Sequence, residues 1–429
     1  MSRLSPPGFI RYTLHAMESR EVARNTPVER RLSRGDAAHT FTASFLGWTL
    51  DAFDFFVLVF ALPAISAEFQ RSVADIAFTI TATLAMRPLG AALFGWLADR
   101  YGRRRPLMAN IIFYSVIEVL SGLAPNYRTF LILRALYGIG MGGEWGVGAA
   151  FAMEAVGPHS RGFFSGLLQE GYAVGYLLAA AAFFFVFPHF GWRALFFLGG
   201  MPAVLTIYIR SKVPESQAWE RTRPTTRDVV RAIRSNLAPF AYLVVLMTLM
   251  NFVSHGTQDL YPTFLQTQRG LDARTVATIA VIYNVGALLG GLAVGYFSDR
   301  WGRRAAMAGA IALAVALIPF WIYPRSLRLL TAGAFLMQFM VQGGWGVVPA
   351  HLAELSPPQV RGLFSGLAYQ SGVFFASFAA FGEAVLAERF GYASAMAGTA
   401  AVVMVAAVVV ILLGGERTAV ELSATEHLD

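Results

Sequence analysis

Cysteine is absent from the 429 residues of this chain, and lysine occurs only once, at Lys212. Without cysteine, neither a disulfide nor a thiolate metal site can form. A Gly-rich phosphate loop carrying a lysine is missing as well, which leaves ATP-driven chemistry unsupported. The seven histidines are scattered along the chain. We therefore expect no metal centre, no cofactor and no enzyme activity.

Charged residues are also scarce. They make up 14% of the chain, against about 25% in soluble globular proteins, while hydrophobic residues make up 56%. The mean hydropathy is +0.54. Apolar runs of about 18 or more residues recur along the chain, and each is long enough to cross the roughly 30 Å hydrocarbon core as a helix. The chain is therefore predicted to be an all-α integral membrane protein, surrounded by the lipid bilayer.

The formal net charge of +8 does not indicate a nucleic-acid partner, because the arginines lie in short loops between the apolar runs. That distribution is typical of membrane orientation, in which basic loops stay on the cytosolic side. It predicts a multi-pass protein of the cell (inner) membrane with both termini in the cytosol. The first span follows a polar tail and is too long for the apolar region of a signal peptide, so no cleavable signal is expected.

Twelve membrane-spanning helices are predicted from the apolar runs. A long loop rich in charge and proline divides them into two groups of six. The expected organisation is an N-terminal cytosolic tail (1–38), a first six-helix half (39–211), a cytosolic linker (212–237), a second six-helix half (238–414) and a C-terminal cytosolic tail (415–429). The predicted spans are 41–66, 74–98, 106–124, 129–153, 161–187, 192–211, 238–265, 274–298, 304–323, 328–352, 361–387 and 391–414.

The two halves repeat one another at an offset of 200 residues. The segment GWLADRYGRRR (95–105) recurs as GYFSDRWGRRA (295–305), and RGFFSGL (161–167) recurs as RGLFSGL (361–367). A duplicated six-helix unit is typical of secondary transporters, in which the binding site lies between the halves near the middle of the bilayer. The expected fold therefore has two pseudo-symmetric six-helix halves.

Charged residues that the repeat preserves are expected to serve the scaffold rather than a binding site. We interpret them as a gate that holds the cytosolic ends of the halves together when the central cavity opens outward. They form four pairs: Asp99 and Asp299, Arg103 and Arg303, Glu154 and Glu354, and Arg161 and Arg361.

Several motifs resemble those of a known family. The loop at 95–105 is similar to the signature loop of the major facilitator superfamily, and RALYGIGMGG (134–143) is similar to its fourth-helix motif. GWTLDAFDFF (47–56) and GMGGEWG (140–146) resemble the sialate and metabolite:proton symporters of that superfamily. The pattern N-x-x-S-H-x-T-Q-D-x-x-x-T (251–263) matches the signature of Jen-type monocarboxylate permeases of fungi. The resemblance covers nearly the whole chain, from about residue 40 to 414.

That last segment places a polar stripe inside an apolar span. The positions i, i+3, i+4, i+7 and i+8 lie on one face of a helix, and here they hold Asn251, Ser254, His255, Gln258 and Asp259. We hypothesise that His255 and Asp259 share a proton while Asn251 and Gln258 hydrogen-bond the substrate. The alternative is that these side chains join neighbouring helices, as polar residues in membrane spans often do.

Arg87 lies within the second predicted span, beside Pro88. A guanidinium stays charged and offers a planar fork that matches a carboxylate, so Arg87 is the predicted anion contact. Asp51 and Asp54, three residues apart on the first span, share a helix face. We predict that at least one of them couples protons, with Asp51 preferred. The alternative is a structural ion pair between Arg87 and one of these acids.

Arg134 and Glu144 both lie on the fourth predicted span, about 15 Å apart along its axis and too far to pair directly. The resemblance implies a proton-coupling role for Arg134, although a packing or backbone hydrogen-bonding role is the alternative. Glu144 has an uncharged twin, Gly344. Because duplication preserves scaffold residues in both halves, we expect Glu144 to take part in proton coupling.

Polar residues of the second half complete the predicted site. Tyr283 and Asn284 lie in the eighth predicted span, and Tyr369 and Gln370 lie in the eleventh. Each side chain could donate to a carboxylate or hydroxyl oxygen of a substrate. An isolated amide in a span can also simply join two helices.

The resemblance implies a transporter that moves lactate, pyruvate or similar monocarboxylates together with protons, acts as a monomer and needs no obligatory protein partner. A larger organic acid, such as sialate or a dicarboxylate, is the alternative cargo. A non-transporting membrane sensor is a further alternative, for which a decayed gate motif would be expected. An ion channel is disfavoured, because charges that occur singly suit one bound solute better than a ring-lined pore.

Overall fold

A computed structural model describes residues 33–418 and 420–422 of the chain. Within these residues twelve long helical segments follow one another, as predicted, and no strand occurs. They are α1 (Arg34–Phe69), α2 (Val73–Tyr101), α3 (Arg104–Gly122), α4 (Tyr127–Ala155), α5 (Arg161–Gln169 and Gly171–Phe185), α6 (Phe187–Leu198 and Pro202–Lys212), α7 (Leu237–Gln258 and Tyr261–Thr267), α8 (Ala273–Trp301), α9 (Arg303–Ile322), α10 (Leu327–Leu355), α11 (Arg361–Ala376 and Ala379–Phe390) and α12 (Tyr392–Leu413).

Local sequence explains where several helices begin and end. Ser72 starts α2 with a reciprocal capping box to Asp75, and Asp272 caps the first N–H groups of α8. Gly102 and Gly302 follow α2 and α8 at twin positions with φ of 100° and 90°. Side chains avoid this region, so glycine permits the sharp turn into the next helix in both halves.

Four spans that were predicted as continuous helices are interrupted. Proline explains two of the breaks, because Pro202 and Pro262 lack the N–H that a continuous helix requires and instead stand at or next to the start of the second segments of α6 and α7. The breaks in α5 at Glu170 and in α11 after Ala376 have no proline beside them. The start of α1 differs from the prediction, at Arg34 rather than 41. In α6 the backbone turns at Gly191, where φ is 73°, so the continuous helix starts at 192 as predicted.

Eight of the helices in the described part of the chain are long and apolar enough to cross a membrane by length and composition alone. The other four, α3, α4, α10 and α11, are more polar or are interrupted. Large apolar side chains such as Phe184, Ile207 and Leu413 are exposed around the outside of the bundle. An outer surface of this kind suits contact with lipid.

The halves meet where α2 packs on α11 and α5 packs on α8. Glycines allow backbones of the two halves to come close. A Cβ added to Gly95 of α2 would lie 2.7 Å from the Leu363 Cα of α11, and one added to Gly366 of α11 would lie 3.1 Å from the Gly146 Cα of α4. Small residues at helix crossings favour this kind of packing in membranes. The contacts gather at one end of the bundle, which carries the turns at Gly102 and Gly302 and is called the gate end below.

Candidate functional site

The gate end is closed by acid side chains that cap helices of the opposite half. Asp99 of α2 accepts hydrogen bonds from the backbone N–H groups of Gly362 at 3.0 Å and Leu363 at 2.9 Å. Its twin Asp299 of α8 accepts from Gly162 at 2.8 Å and from Phe163 at 3.1 Å. Carboxylates are favourable at helix N-termini because unpaired N–H groups point toward them there.

Two buried glutamates connect the arginines of the gate end. Glu154 pairs with Arg103 of its own half at 3.1 Å and with Arg361 of the other half at 2.9 Å. The same arrangement occurs at the twin positions: Glu354 pairs with Arg303 of its own half at 2.9 Å and with Arg161 of the first half at 2.9 Å. The structure therefore brings together all eight residues that the repeat singled out, and their role as a gate stays a prediction.

A glutamate after the last helix of each half stabilises the same region. Glu215 accepts hydrogen bonds from the N–H groups of Arg103 at 2.7 Å and Arg104 at 3.1 Å, and Glu416 does the same for the first two residues of α9. Burial raises the pKa of Glu215 above its ordinary value. Burial acts to raise the pKa of Glu416 too, but hydrogen bonds from Thr418 and the α9 backbone more than offset it and hold this pKa low.

Arg87 lies deep between the halves. It is 5% exposed, and within the described part of the chain its Nε and Nη2 atoms have no hydrogen-bond partner. Tyr369 of α11 interacts with its guanidinium. The Tyr369 ring stacks on Trp145 of α4 at 4.0 Å between centroids and meets Trp345 of α10 edge-on at 5.9 Å. Arg87 is thus a buried cation with free donors, held next to an aromatic cluster built from both halves.

Asp51 is the acid that interacts with Arg87 electrostatically. Among the described residues no ion pair within 4.0 Å joins them, so the alternative of a closed Asp–Arg pair is not the arrangement observed. Asp51 is instead approached by Tyr137, whose hydroxyl donates to the Asp51 backbone carbonyl at 3.1 Å and lies 3.4 Å from its Oδ1.

Asp54 and Glu144 are fully buried, and neither carboxyl finds a hydrogen-bond partner among the described residues. Glu144 lies directly against Gly47 of α1 and near Gly148 of its own helix. An ionised carboxylate without partners is costly in such surroundings. Asp54 and Glu144 are therefore buried carboxyls with unused hydrogen-bonding capacity, and their role in proton coupling stays a prediction.

Arg134 forms a buried ion pair with Glu118 of α3. Its guanidinium also lies over the Tyr137 ring at 4.2 Å and the Phe196 ring at 5.4 Å. The sequence reasoning considered proton coupling, packing and backbone bonding for Arg134 but missed Glu118. The sequence could have indicated this residue, because Glu118 is an acid within an otherwise apolar span.

The polar stripe of α7 divides into two parts. His255 Nδ1 lies 3.1 Å from Asp259 Oδ2, and both side chains are 38% exposed. Gln258 donates to Gln338 Oε1 of α10 at 2.9 Å, and Asn251 donates to the Met247 carbonyl of its own helix at 2.8 Å. His255 and Asp259 are thus within hydrogen-bonding distance, and a proton shared between them stays a prediction. The amide donors of Asn251 and Gln258, predicted to bind substrate, are engaged within the protein.

The remaining predicted residues lie in different surroundings. Gln370 is buried, with Nε2 3.4 Å from the Gly142 carbonyl and Oε1 unpartnered within the described residues. Tyr283 is half-buried and meets Tyr261 edge-on at 6.1 Å between ring centroids. Asn284 is exposed and donates to the Ala280 carbonyl at 2.8 Å. Gln370 is thus the residue of this group with an unused buried acceptor.

His351 and Glu354 lie about one turn apart on α10, the spacing of a metal-ligand pair. However, the Glu354 carboxylate already forms ion pairs with Arg161 and Arg303. In the part of the chain that the structure describes, no group of acids and histidines is arranged to hold a metal ion.

Two cavities, of about 740 and 600 Å³, lie between α8 and α10 and between α11 and α12. Neither is lined by Arg87 or by the acids of the first half.

The sequence is similar to those of several known transporters. The sequence is 31% identical over 367 residues to a probable 4-methylmuconolactone transporter of Cupriavidus pinatubonensis, covering 83% of this chain and 85% of that protein. It is 31% identical to a sialic acid transporter of Escherichia coli, covering 77% and 82%. It is 30% identical to a carboxylic acid transporter protein homolog of Saccharomyces cerevisiae over 82% of this chain, and it spans 61% of that longer protein.

A solved proton:xylose symporter structure superposes with a TM-score of 0.71 at 19% identity, covering 90% of this chain and 98% of that one. A human organic anion transporter structure has a TM-score of 0.70 at 16% identity, covering 87% and 99%. The family description Major Facilitator Superfamily matches residues 44–278 and 245–427. The chain is therefore a multi-pass membrane transporter, not an enzyme, and it belongs to the Major Facilitator Superfamily.

Proposed function

We propose that this transporter is a symporter that carries a small monocarboxylate, such as lactate or pyruvate, together with protons. The observation that carries the proposal is Arg87, a buried guanidinium with free donors between the two halves. A planar fork in that position is suited to a carboxylate. The names of the similar proteins, which include carboxylic acid, sialic acid and niacin transporters, support an organic acid as cargo.

Proton coupling follows from charge balance in a dry site. An anion that enters near Arg87 adds negative charge to a region that already holds Asp51, Asp54 and Glu144. A proton on one of these acids offsets that charge, so anion and proton should each raise the other's affinity by the same factor. The exposed His255–Asp259 pair is a second place where a proton can bind.

The closed gate end also bears on the orientation of the protein in the membrane. The basic loops predict that this end faces the cytosol, and its ion pairs close it in the structure. In the proposed orientation the closed gate end is the cytosolic end, and both termini lie in the cytosol of a cell with this protein in its membrane. Transport would proceed when the gate contacts break and the halves rock to expose the site inward.

Uptake of labelled lactate into proteoliposomes tests the proposal. We expect accumulation when the exterior is acidic and little uptake without a pH gradient. Competition by unlabelled acids of graded size separates a small cargo from a larger one: lactate and pyruvate should compete best. Stronger competition by sialate or muconate, with no lactate uptake, would instead assign a larger organic acid, in line with the similar sialic acid transporter.

Asp259→Asn tests the α7 pair. We expect proton-driven lactate accumulation to fall by roughly tenfold, within the range of ordinary coupling energies, because the neutral amide cannot share a proton with His255. Exchange of lactate across the membrane without a pH gradient should persist. The control is Glu220→Gln, which neutralises an exposed acid of the linker. Unchanged pH-driven accumulation in Asp259→Asn would remove this pair from proton coupling.

A further inference from the structure

Glu383 is a buried acid that none of the sequence motifs includes. It lies in the second segment of α11 and is 3% exposed. Its Oε1 atom accepts a hydrogen bond of 2.5 Å from the Thr399 hydroxyl of α12. Its Oε2 atom is buried and has no hydrogen-bond partner among the described residues. One satisfied and one unsatisfied oxygen is an unusual arrangement for a carboxyl with a purely structural role.

The carboxyl of Glu383 packs directly on α7, at the polar stripe. A Cβ added to Gly256 would lie 3.1 Å from Glu383 Oε1. Gly256 follows His255 in the chain, and Asp259 lies one turn further along. The missing side chain at Gly256 therefore leaves the space that the Glu383 carboxyl occupies, on a helix whose neighbouring residues form the exposed His255–Asp259 pair.

The charges around Glu383 do not stabilise an anion. Asp259 is the charged group that acts on it electrostatically, and its effect is repulsive. The partner from α12 is the neutral Thr399, and Arg389 on the same segment is exposed. A buried carboxylate with one hydrogen bond and a negative neighbour is costly, so the neutral acid is the stable form here.

We propose that Glu383 is a proton-binding site of the second half, acting together with His255 and Asp259. Asp259 connects the two parts of this site, because it pairs with His255 and acts electrostatically on Glu383. In the proposal the exposed pair exchanges protons with water, and the buried acid stores a proton behind α7. Proton transfer breaks the O–H bond of the Glu383 carboxyl and forms either an O–H bond on the Asp259 carboxylate or, by way of Asp259, an N–H bond on the His255 imidazole. This inference rests on the proposed proton coupling and names a residue that takes part in it.

The location of Glu383 links its protonation state to the packing of α7 against α11. Its segment of α11 begins after the break at Ser377 and Phe378, and α7 breaks at Asp259 and Leu260. Glu383 therefore joins two interrupted helices to α12 close to both breaks. When the proton has passed beyond Asp259 to water, both carboxyls are negative, and their repulsion would favour separation of the two segments.

Glu383→Gln tests the proposal, because glutamine keeps the shape and the acceptor for Thr399 but cannot release a proton. We expect proton-driven lactate accumulation to fall at least about fivefold and its pH dependence to flatten, while lactate exchange at equal pH persists. The matched control is Glu388→Gln, which neutralises an exposed acid of the same segment. Wild-type pH dependence in Glu383→Gln would overturn the proposal, as would equal loss of exchange and accumulation, which indicates a structural role.

A substrate-independent measurement separates failure of this inference from failure of the proposed cargo. Infrared absorption of protonated carboxyl groups, recorded on the purified full-length protein as the pH is raised, should contain a band that Glu383→Gln removes and Glu388→Gln retains. Thr399→Val should shift that band, because it deletes the hydrogen bond to Oε1. If no such band exists, Glu383 holds no proton and the inference fails, whatever acid the protein transports.

Discussion

Arg87→Lys should abolish most lactate uptake, with the apparent KM rising roughly 30-fold or more. The lysine keeps one positive charge but replaces the planar fork with a single point donor, so two parallel bonds to a carboxylate can no longer form. Breaking a buried, hydrogen-bonded charge pair costs about 2–5 kcal/mol, and about 1.4 kcal/mol corresponds to a tenfold change in affinity. The measurement is initial uptake over a range of lactate concentrations in proteoliposomes.

The control for this experiment is Arg128→Lys, an equal exchange at an exposed arginine near the start of α4. Its KM should match that of the wild type. Tyr369→Phe adds a graded test, because it removes the hydroxyl next to Arg87 while keeping the ring stacked on Trp145. A modest rise in KM is expected there. Arg87→Lys with wild-type affinity would exclude Arg87 from the binding site and leave the proposed cargo without its main contact.

Glu154→Gln should open the gate end. Glu154 is the shared partner of Arg103 and Arg361, so its loss leaves the buried Arg361 without an ion-pair partner among the described residues and leaves Arg103 with Asp99 alone. Removing one member of a buried ion pair costs about 3–5 kcal/mol. That cost falls on the closed arrangement, in which these groups are buried, and the population should shift strongly toward the state in which the arginines reach water.

The absence of cysteine makes this shift directly measurable. Ser365→Cys introduces the only thiol of the chain at a position of α11 that is 2% exposed near the gate end. Its reaction with a water-soluble maleimide should be slow alone and at least about tenfold faster when combined with Glu154→Gln. Glu354→Gln should act similarly because it breaks the twin pairs, and Glu220→Gln should have no effect. Unchanged labelling with both glutamate substitutions would show that these ion pairs do not hold the gate.

Features that depend on single positions or on a repeat could be predicted well. Hydropathy along the chain predicts the spans, and the twin motifs at an offset of 200 residues predict two halves and the eight residues of the gate end. The helix breaks were less predictable. Pro202 and Pro262 mark two of them, while the breaks at Glu170 and after Ala376 have no proline beside them and were not predicted.

Hydrogen bonds and ion pairs between side chains of different helices could not be predicted from the sequence. The α7 stripe predicted that His255 and Asp259 face one another, because both lie on one helix one turn apart. It did not predict that Gln258 would bond to Gln338, since that bond depends on how α10 is rotated toward α7. Arg134 was recognised as important without its partner, because Glu118 comes from a different helix.

The sequence alone was enough to establish a membrane-embedded, duplicated transporter with an intact gate motif, because burial in lipid and gene duplication leave marks that run along the chain. The tertiary structure decided which buried charges are paired and which are free. Arg87, Asp54 and Glu383 have unused polar atoms only because of the way neighbouring helices are turned. That rotation is set by packing across several helices at once, and it determines which groups remain available for an anion and a proton.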